Sequence, residues 1–383
     1  MLASTRVSIR AMFTAGLLAL SLTATSAAPA VALAPAPEVL EFPPGPALPQ
    51  VAPPPAPPVR VAYITGTAHT PVPSVWIAGV GGEERKELGP GVDPLIAPDG
   101  QYVASQLYGA DPNSETGPSI AIYYSTVGAP AAKYLSLATA TATPLAWSPD
   151  SRYVAVALKS TALTDIAPHS SLVVIDTATG AVHTITNGSI SGVSFASDGS
   201  DRIVYSRALS LSVAANVNLY VSGPEGAGIK RLTNDGRSLN PVWGPRYIAY
   251  DRERPRHDGP AYQIWLRSPS GGAPKRLTNV PVAQLQAGLV PIAFSADGSR
   301  LVAEFEGEDT SEGWTVLVPS GRAHRMLVHG RPVIAAGISR DGFSVLVDEN
   351  AFEDPAGRVA ELPFTGGPST VLVAHGSQAS WNG

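Results

Sequence analysis

One phrase recurs along the chain and limits what the chain can fold into. It reads PLAWSPDSRYVAV over residues 144–156, PIAFSADGSRLVAEF over residues 291–305 and AGISRDGFSVLV over residues 336–347. Each copy is an apolar or aromatic residue, a turn built from Ser, Pro, Asp and Gly, and an alternating strand. Turns of this type centre on Asp99, Asp150, Asp198, Pro245, Asp297 and Asp341, and Asn382 closes the series. Their mean spacing is about 47 residues, in the range of a repeat that holds four strands. Between the turns the chain alternates with period two, bounded by Gly, Pro, Asp and Ser, and shows no long helical periodicity.

Four strand signals, a to d, fill each interval. In one they are PVWG (241–244), RYIAYDRE (246–253), YQIWLRS (262–268) and PKRLTN (274–279). Strand b recurs seven times, at Val61, Tyr102, Tyr153, Arg202, Tyr247, Leu301 and Ser344. Strand a also recurs seven times, but offset: the first b strand has no a strand before it, and the last a strand, ending SQASWNG, has no b strand after it. Joining the two orphans predicts an all-β fold, a β-propeller of four-stranded antiparallel blades. Seven blades are counted, with six as the alternative, and the C-terminal strand closes the ring by joining the N-terminal blade. Closure removes the raw sheet edges that a linear stack would leave. Trp381 would then take the inner position held elsewhere by Trp147, Phe195, Trp243 and Phe294.

The phrases WSPDSRYVAV, FSADGSRLVAEF and SGGAPKRLTN resemble the repeat of TolB-like (WD-repeat-like) β-propellers, which are related to the propeller domains of prolyl-oligopeptidase-like and tricorn-like proteases. The resemblance spans residues 59–383 and is specific for fold rather than for function. Two features depart from the TolB pattern: seven units stand against six, and a proline-rich stretch stands where that family has an N-terminal α/β domain.

Residues 1–27 carry Arg6 and Arg10, then an uncharged run from Ala11, then small residues. That is the order of a signal peptide. An uncleaved anchor is the alternative, disfavoured because the Leu-rich part is short against the ~20 apolar residues a span needs. Residues 28–58 form a Pro/Ala-rich linker, with twelve prolines between 29 and 58. Such a stretch makes an extended, semi-rigid spacer. The propeller occupies residues 59–383. A secreted, extracellular or cell-envelope location follows, with no membrane span after cleavage.

Formal net charge is −5, and removal of the leader takes it to about −7. Nucleic-acid binding would need a basic stripe instead. The chain has no cysteine, which excludes disulfides, thiolate metal sites and cysteine nucleophiles. There is no G-x-S-x-G elbow, H-E-x-x-H pair or phosphate loop, and the seven histidines lack paired metal-ligand spacing. A single turn Asp offers too few oxygens for calcium, which takes six to eight, so each is expected to cap its own turn. No cofactor, metal or enzymatic activity is expected.

Loop length points to the working surface. The a–b and c–d turns are compact, whereas b–c connections such as 108–118, 159–170, 206–217, 251–261 and 306–313 are longer. Long loops cost little and commonly carry function. Two neighbouring b–c loops are acidic: EGEDTSEG from Glu306 and DENAFEDPA from Asp348. Glu306, Glu308, Asp309, Asp348, Glu349 and Asp354 are the candidate partner-binding residues, since their mutual repulsion would be relieved by a basic partner. Arg252, Arg254 and Arg256 of the preceding loop give this patch a basic neighbour. The expected protein is an exported, monomeric, non-catalytic propeller that binds a protein or cell-envelope component. The alternative is a hydrolase or lactonase-like enzyme with its site at the central channel. N-terminal sequencing of the native protein should find a chain beginning between Ala28 and Leu33 outside the cytoplasm; an intact Met1 in the cytosol would rule export out.

Overall fold

The computed structural model describes residues 58–65, 73–107, 120–125, 132–135, 137, 141–159, 170–208, 216–254, 261–282, 287–307, 310–349 and 357–382. The expected signal peptide, and the expected linker up to residue 57, lie outside the described residues. Within them every regular element is a β-strand. Five separate four-stranded sheets are present, and two further four-stranded units share one eight-stranded sheet. A representative unit is Thr141–Trp147, Tyr153–Lys159, Ser170–Asp176 and Val182–Asn187, each strand antiparallel to the next. A small hairpin, Leu327–Val328 with Arg331–Pro332, stands outside this scheme.

Burial explains the sequence of each b strand. In Tyr153–Lys159, Val154 and Val156 enter a core with Ile120, Ile122 and Trp147, whereas Tyr153 and Ala155 enter the next core with Leu172, Phe195 and Ile203. A strand buried on both faces needs apolar residues at every position, and a continuous run such as YVAVAL results. The outer strand Val182–Asn187 is buried mainly at Ile185 and Thr186 and is otherwise polar. Each fully buried Val, Ile or Leu contributes roughly 1.5–3 kcal/mol.

The repeated aromatic fixes the register. Trp147 lies opposite Val154, Phe195 opposite Ile203, Trp243 opposite Ile248 and Phe294 opposite Leu301. Trp381 takes the same position opposite Val61, because Ser377–Trp381 pairs antiparallel with Arg60–Thr65 across almost the whole chain. The turn beside it is also reproduced. In the continuous hairpins, Ser148, Ser295 and Ser339 accept through Oγ the backbone N–H of Tyr153, Arg300 and Ser344 at 2.8, 3.1 and 2.9 Å. Across the break, Asn382 Oδ1 accepts the N–H of Arg60 at 2.7 Å. Neighbouring inner strands are tied alike: Ser380 Oγ accepts from Ile96 N–H at 3.0 Å, as Ser194 Oγ accepts from Trp243 N–H at 3.0 Å.

Two details differ from the sequence expectation. The outer strand expected at 274–279 is Gly271–Arg276, because the turn after Ser268 is tighter than the prolines and glycines suggested. The other is the fusion of two units by a short parallel pairing, Ala261 with Ala287 and Tyr262 with Gly288. Glycine is required there, since a Cβ on Gly288 would lie 2.1 Å from the Tyr262 carbonyl oxygen.

Deleting residues 377–383 removes Ala379 and Trp381 from their core and exposes an edge of Arg60–Thr65. A loss of about 3–5 kcal/mol in urea unfolding is expected, with aggregation. Asn382→Ala alone should cost about 1 kcal/mol. Unchanged unfolding of the truncated chain would refute the pairing.

Candidate functional site

The b strands run toward the face from which the b–c connections emerge, and their last residues decide what that face carries. In three successive units a carboxylate occupies one equivalent rung. Asp251 lies opposite Leu239, Glu304 opposite Val290 and Asp348 opposite Ile334, each four residues before the aromatic or apolar residue that ends the inner strand. Asp251 is fully buried and Asp348 nearly so, while Glu304 is half-buried.

The expected acidic loops are therefore shorter than their sequence suggested. Glu306 ends the strand Arg300–Glu306, is half-buried and lies opposite Ser311. The connection is only residues 307–310, closed by Gly307 N–H donating to the Thr310 carbonyl at 2.8 Å. Glu312 is already in the next strand and pairs with Arg325 at 2.6 Å. Asp348 and Glu349 likewise end the strand Ser344–Glu349, each 5% exposed, and are not loop residues. Ladder pairing to Val359 and Arg358 carries the strand past the apolar core, so charged residues that read as loop are strand. Glu308, Asp309 and Asp354 lie outside the described residues.

The basic neighbour is a cleft of about 270 Å³. Arg237, Arg252, Arg254 and Arg276 line it with Glu253, Gln263 and Trp265. Arg252 and Arg254 alternate along Ile248–Arg254 and so share one side of the sheet. Arg276 stands cross-strand from Trp265. Arg252 is held by Asp235, Nε to Oδ2 2.9 Å, and its guanidinium stacks 4.7 Å from the Trp265 ring centre. Gln263 is fixed as a wall: its Nε2 donates to the Val280 carbonyl at 2.8 Å, and its Oε1 accepts from Thr278 Oγ1 and Val280 N–H, both at 3.0 Å. The preceding unit ends in an outer strand of two exposed residues, Lys230–Arg231. The alternating Arg252 and Arg254 were the sequence signal for the cleft; Arg276, from the strand Gly271–Arg276, and Arg237, bridged to Val217 ahead of Ser238–Trp243, carried none.

The turn aspartates lie on the opposite face and cap their turns as expected. Oδ1 of Asp99, Asp150, Asp198, Asp297 and Asp341 accepts the N–H two residues on, at 2.8, 3.0, 3.0, 2.9 and 2.9 Å. Hydrogen bonds from Ser295 and Ser299 hold the Asp297 carboxyl well below the usual range, and Ser339 does the same for Asp341. Among the described residues no three His, Asp or Glu side chains gather as a group able to hold a metal.

No protein-family model matches the chain, and no curated protein matches it by sequence. Solved structures do match. The β-propeller domain of the trilobed protease from Pyrococcus furiosus superposes with a TM-score of 0.56 at 12% identity, over 82% of this chain and 95% of that one. The fold is a β-propeller. A prolyl endopeptidase matches with a TM-score of 0.57 at 13% identity, over 85% of this chain but 50% of its own. TolB from Acinetobacter baumannii matches at 17% identity with a TM-score of 0.49, over 84% of this chain and 66% of its own. The chain thus spans half of the endopeptidase and about two thirds of that TolB chain.

The depressed carboxyls of this propeller set the sign of an acid response. Asp297 and Asp341 contribute stability above the unfolded carboxyl value of about 3.9, and lose it as pH falls through their lower folded values. In urea midpoints followed from pH 7 to pH 2, Asp297→Asn/Asp341→Asn should be weaker at pH 7, and the gap to the unsubstituted protein should narrow as pH falls below about 4. A constant gap would show that these carboxyls contribute nothing as charges.

Proposed function

We propose that the chain is an exported, non-catalytic β-propeller of seven blades, closed by its terminal strand, that binds a protein or cell-envelope component through the b–c/d–a face. The seven-blade count rests on the terminal pairing. The strand ending in Trp381 completes the unit begun by Arg60–Thr65 and lies against both Val92–Ile96 and Ile334–Ile338. The Pyrococcus domain has an open velcro topology, so likeness to it does not argue for closure. Export rests on residues 1–27.

The observation that carries the binding reading is the uneven charge of one face. Carboxylates occupy the same rung in three successive blades, Glu306 stands beyond them, and the arginine cleft lies beside them. Asp348 and Glu349 belong to this sector but are too buried to touch a partner. Contact would fall to Glu306 with Glu308, Asp309 and Asp354. A basic partner, met by a monomer, suits this sector, and its capture should weaken with salt because exposed charges are screened beyond about 8–10 Å.

The test is recovery of a basic envelope component on the immobilised mature protein at low and high salt, against Glu306→Gln/Glu308→Gln/Asp309→Asn/Asp354→Asn. Loss of capture with unchanged melting is expected. Equal recovery by both proteins would leave the carboxylates as a solvated rim.

A further inference from the structure

Of the four guanidiniums in the cleft, Arg252 is neutralised by Asp235. The side chains of Arg237, Arg254 and Arg276 form no hydrogen bond or ion pair with any described residue, although they converge on one cleft in a chain whose net charge is negative. Like charges held together without partners repel, and that repulsion is relieved by an anion placed among them. Guanidiniums present planar forks of N–H donors, suited to an oxyanion rather than to a halide.

We propose that this cleft is a binding site for a phosphomonoester, with its phosphoryl group among Arg237, Arg254 and Arg276. A carboxylate would bring one charge and two oxygens to three guanidiniums that have no partner among the described residues. A phosphomonoester brings a charge of about −1.5 to −2 and three strong acceptor oxygens near neutral pH. The volume of about 270 Å³ leaves room beyond the phosphoryl group. Trp265, braced by the stacked Arg252, provides an apolar wall for the rest of the ester. Glu253, the one carboxylate of the lining, is placed to accept from a ligand hydroxyl. The site is independent of the acidic sector and of any partner bound there.

Phenyl phosphate is the first probe, titrated into the mature protein by calorimetry. Saturable binding with one site is expected, together with a raised melting temperature. Arg254→Gln and Arg276→Gln should each weaken it by about tenfold or more, as for loss of a charge-assisted pair. Arg276→Lys should recover part of the loss. Lys275→Gln, exposed and one residue away, should leave binding unchanged. Phenylacetate should bind about tenfold more weakly than phenyl phosphate or worse. Vesicles of phosphatidylcholine with phosphatidic acid separate a lipid headgroup from a soluble ester: Arg-dependent binding to vesicles alone assigns the site to headgroups, and binding to phenyl phosphate assigns it to soluble esters. Absence of binding to both probes overturns the proposal. Binding indifferent to Arg254→Gln and Arg276→Gln, or equal affinity for phenylacetate, overturns it too.

Discussion

The pairing of residues 377–381 with residues 60–65 is the constraint on which the remaining structure leans. Every b strand here is buried on both faces, so no unit is self-sufficient: its core is completed by the next. The first b strand takes its inner partner from the far end of the chain. The cost is the entropy of bringing together segments some three hundred residues apart, which grows only slowly with loop length. It is offset by ladder bonds, by Ala379 in the core, and by Asn382 reproducing the hydrogen bond that serine makes in the unbroken turns. The substitution of Asn for Ser fits the geometry. A severed turn no longer holds the acceptor close to the donor, and the longer amide reaches both the Arg60 N–H and, through Nδ2, the Pro58 carbonyl at 3.2 Å.

This part of the architecture was legible because it depends on period and on the placement of one aromatic residue per unit. Trp147, Phe195, Trp243, Phe294 and Trp381 can be aligned without coordinates, and the Asp two residues before a backbone N–H announces its own cap. What escaped was the far end of each b strand. Residues such as Asp348, Glu349 and Glu306 are charged and follow the apolar run, so they read as loop. They are strand because ladder hydrogen bonds continue after the apolar core has ended, and backbone pairing does not require an apolar side chain. The parallel pairing at Gly288 escaped for a related reason, since a glycine that admits a close backbone approach looks the same in sequence as a glycine in a turn.

The extended b strands also sort charge. In Ile248–Arg254 the terminal residues run Asp251, Arg252, Glu253, Arg254, and strand geometry sends alternate side chains to opposite sides of the sheet. Ala249 packs toward the following unit and Tyr250 toward the preceding one. Asp251 therefore shares the side of the units that carry Glu304 and Asp348, whereas Arg252 and Arg254 share the side of the cleft. A sequence whose charges nearly cancel becomes, once folded, an acidic sector and a basic cleft separated by the thickness of one sheet.

That separation has a consequence for recognition. Asp251 is sent to the far side of the sheet from Arg252 and Arg254, so it does not neutralise the cleft, where Glu253 is the one carboxylate of the lining. Arg252 shows the limit of the arrangement, since Asp235 from the preceding loop reaches it and removes it from play, leaving it to brace Trp265. The three remaining arginines have no such partner among the described residues; Arg254 and Arg276 are placed by ladder positions on one sheet, and Arg237 by an isolated bridge to Val217. The sheet fixes where Arg254 and Arg276 leave the backbone, while their exposed side chains, like that of Arg237, are ordered by the ligand itself at a cost in side-chain entropy.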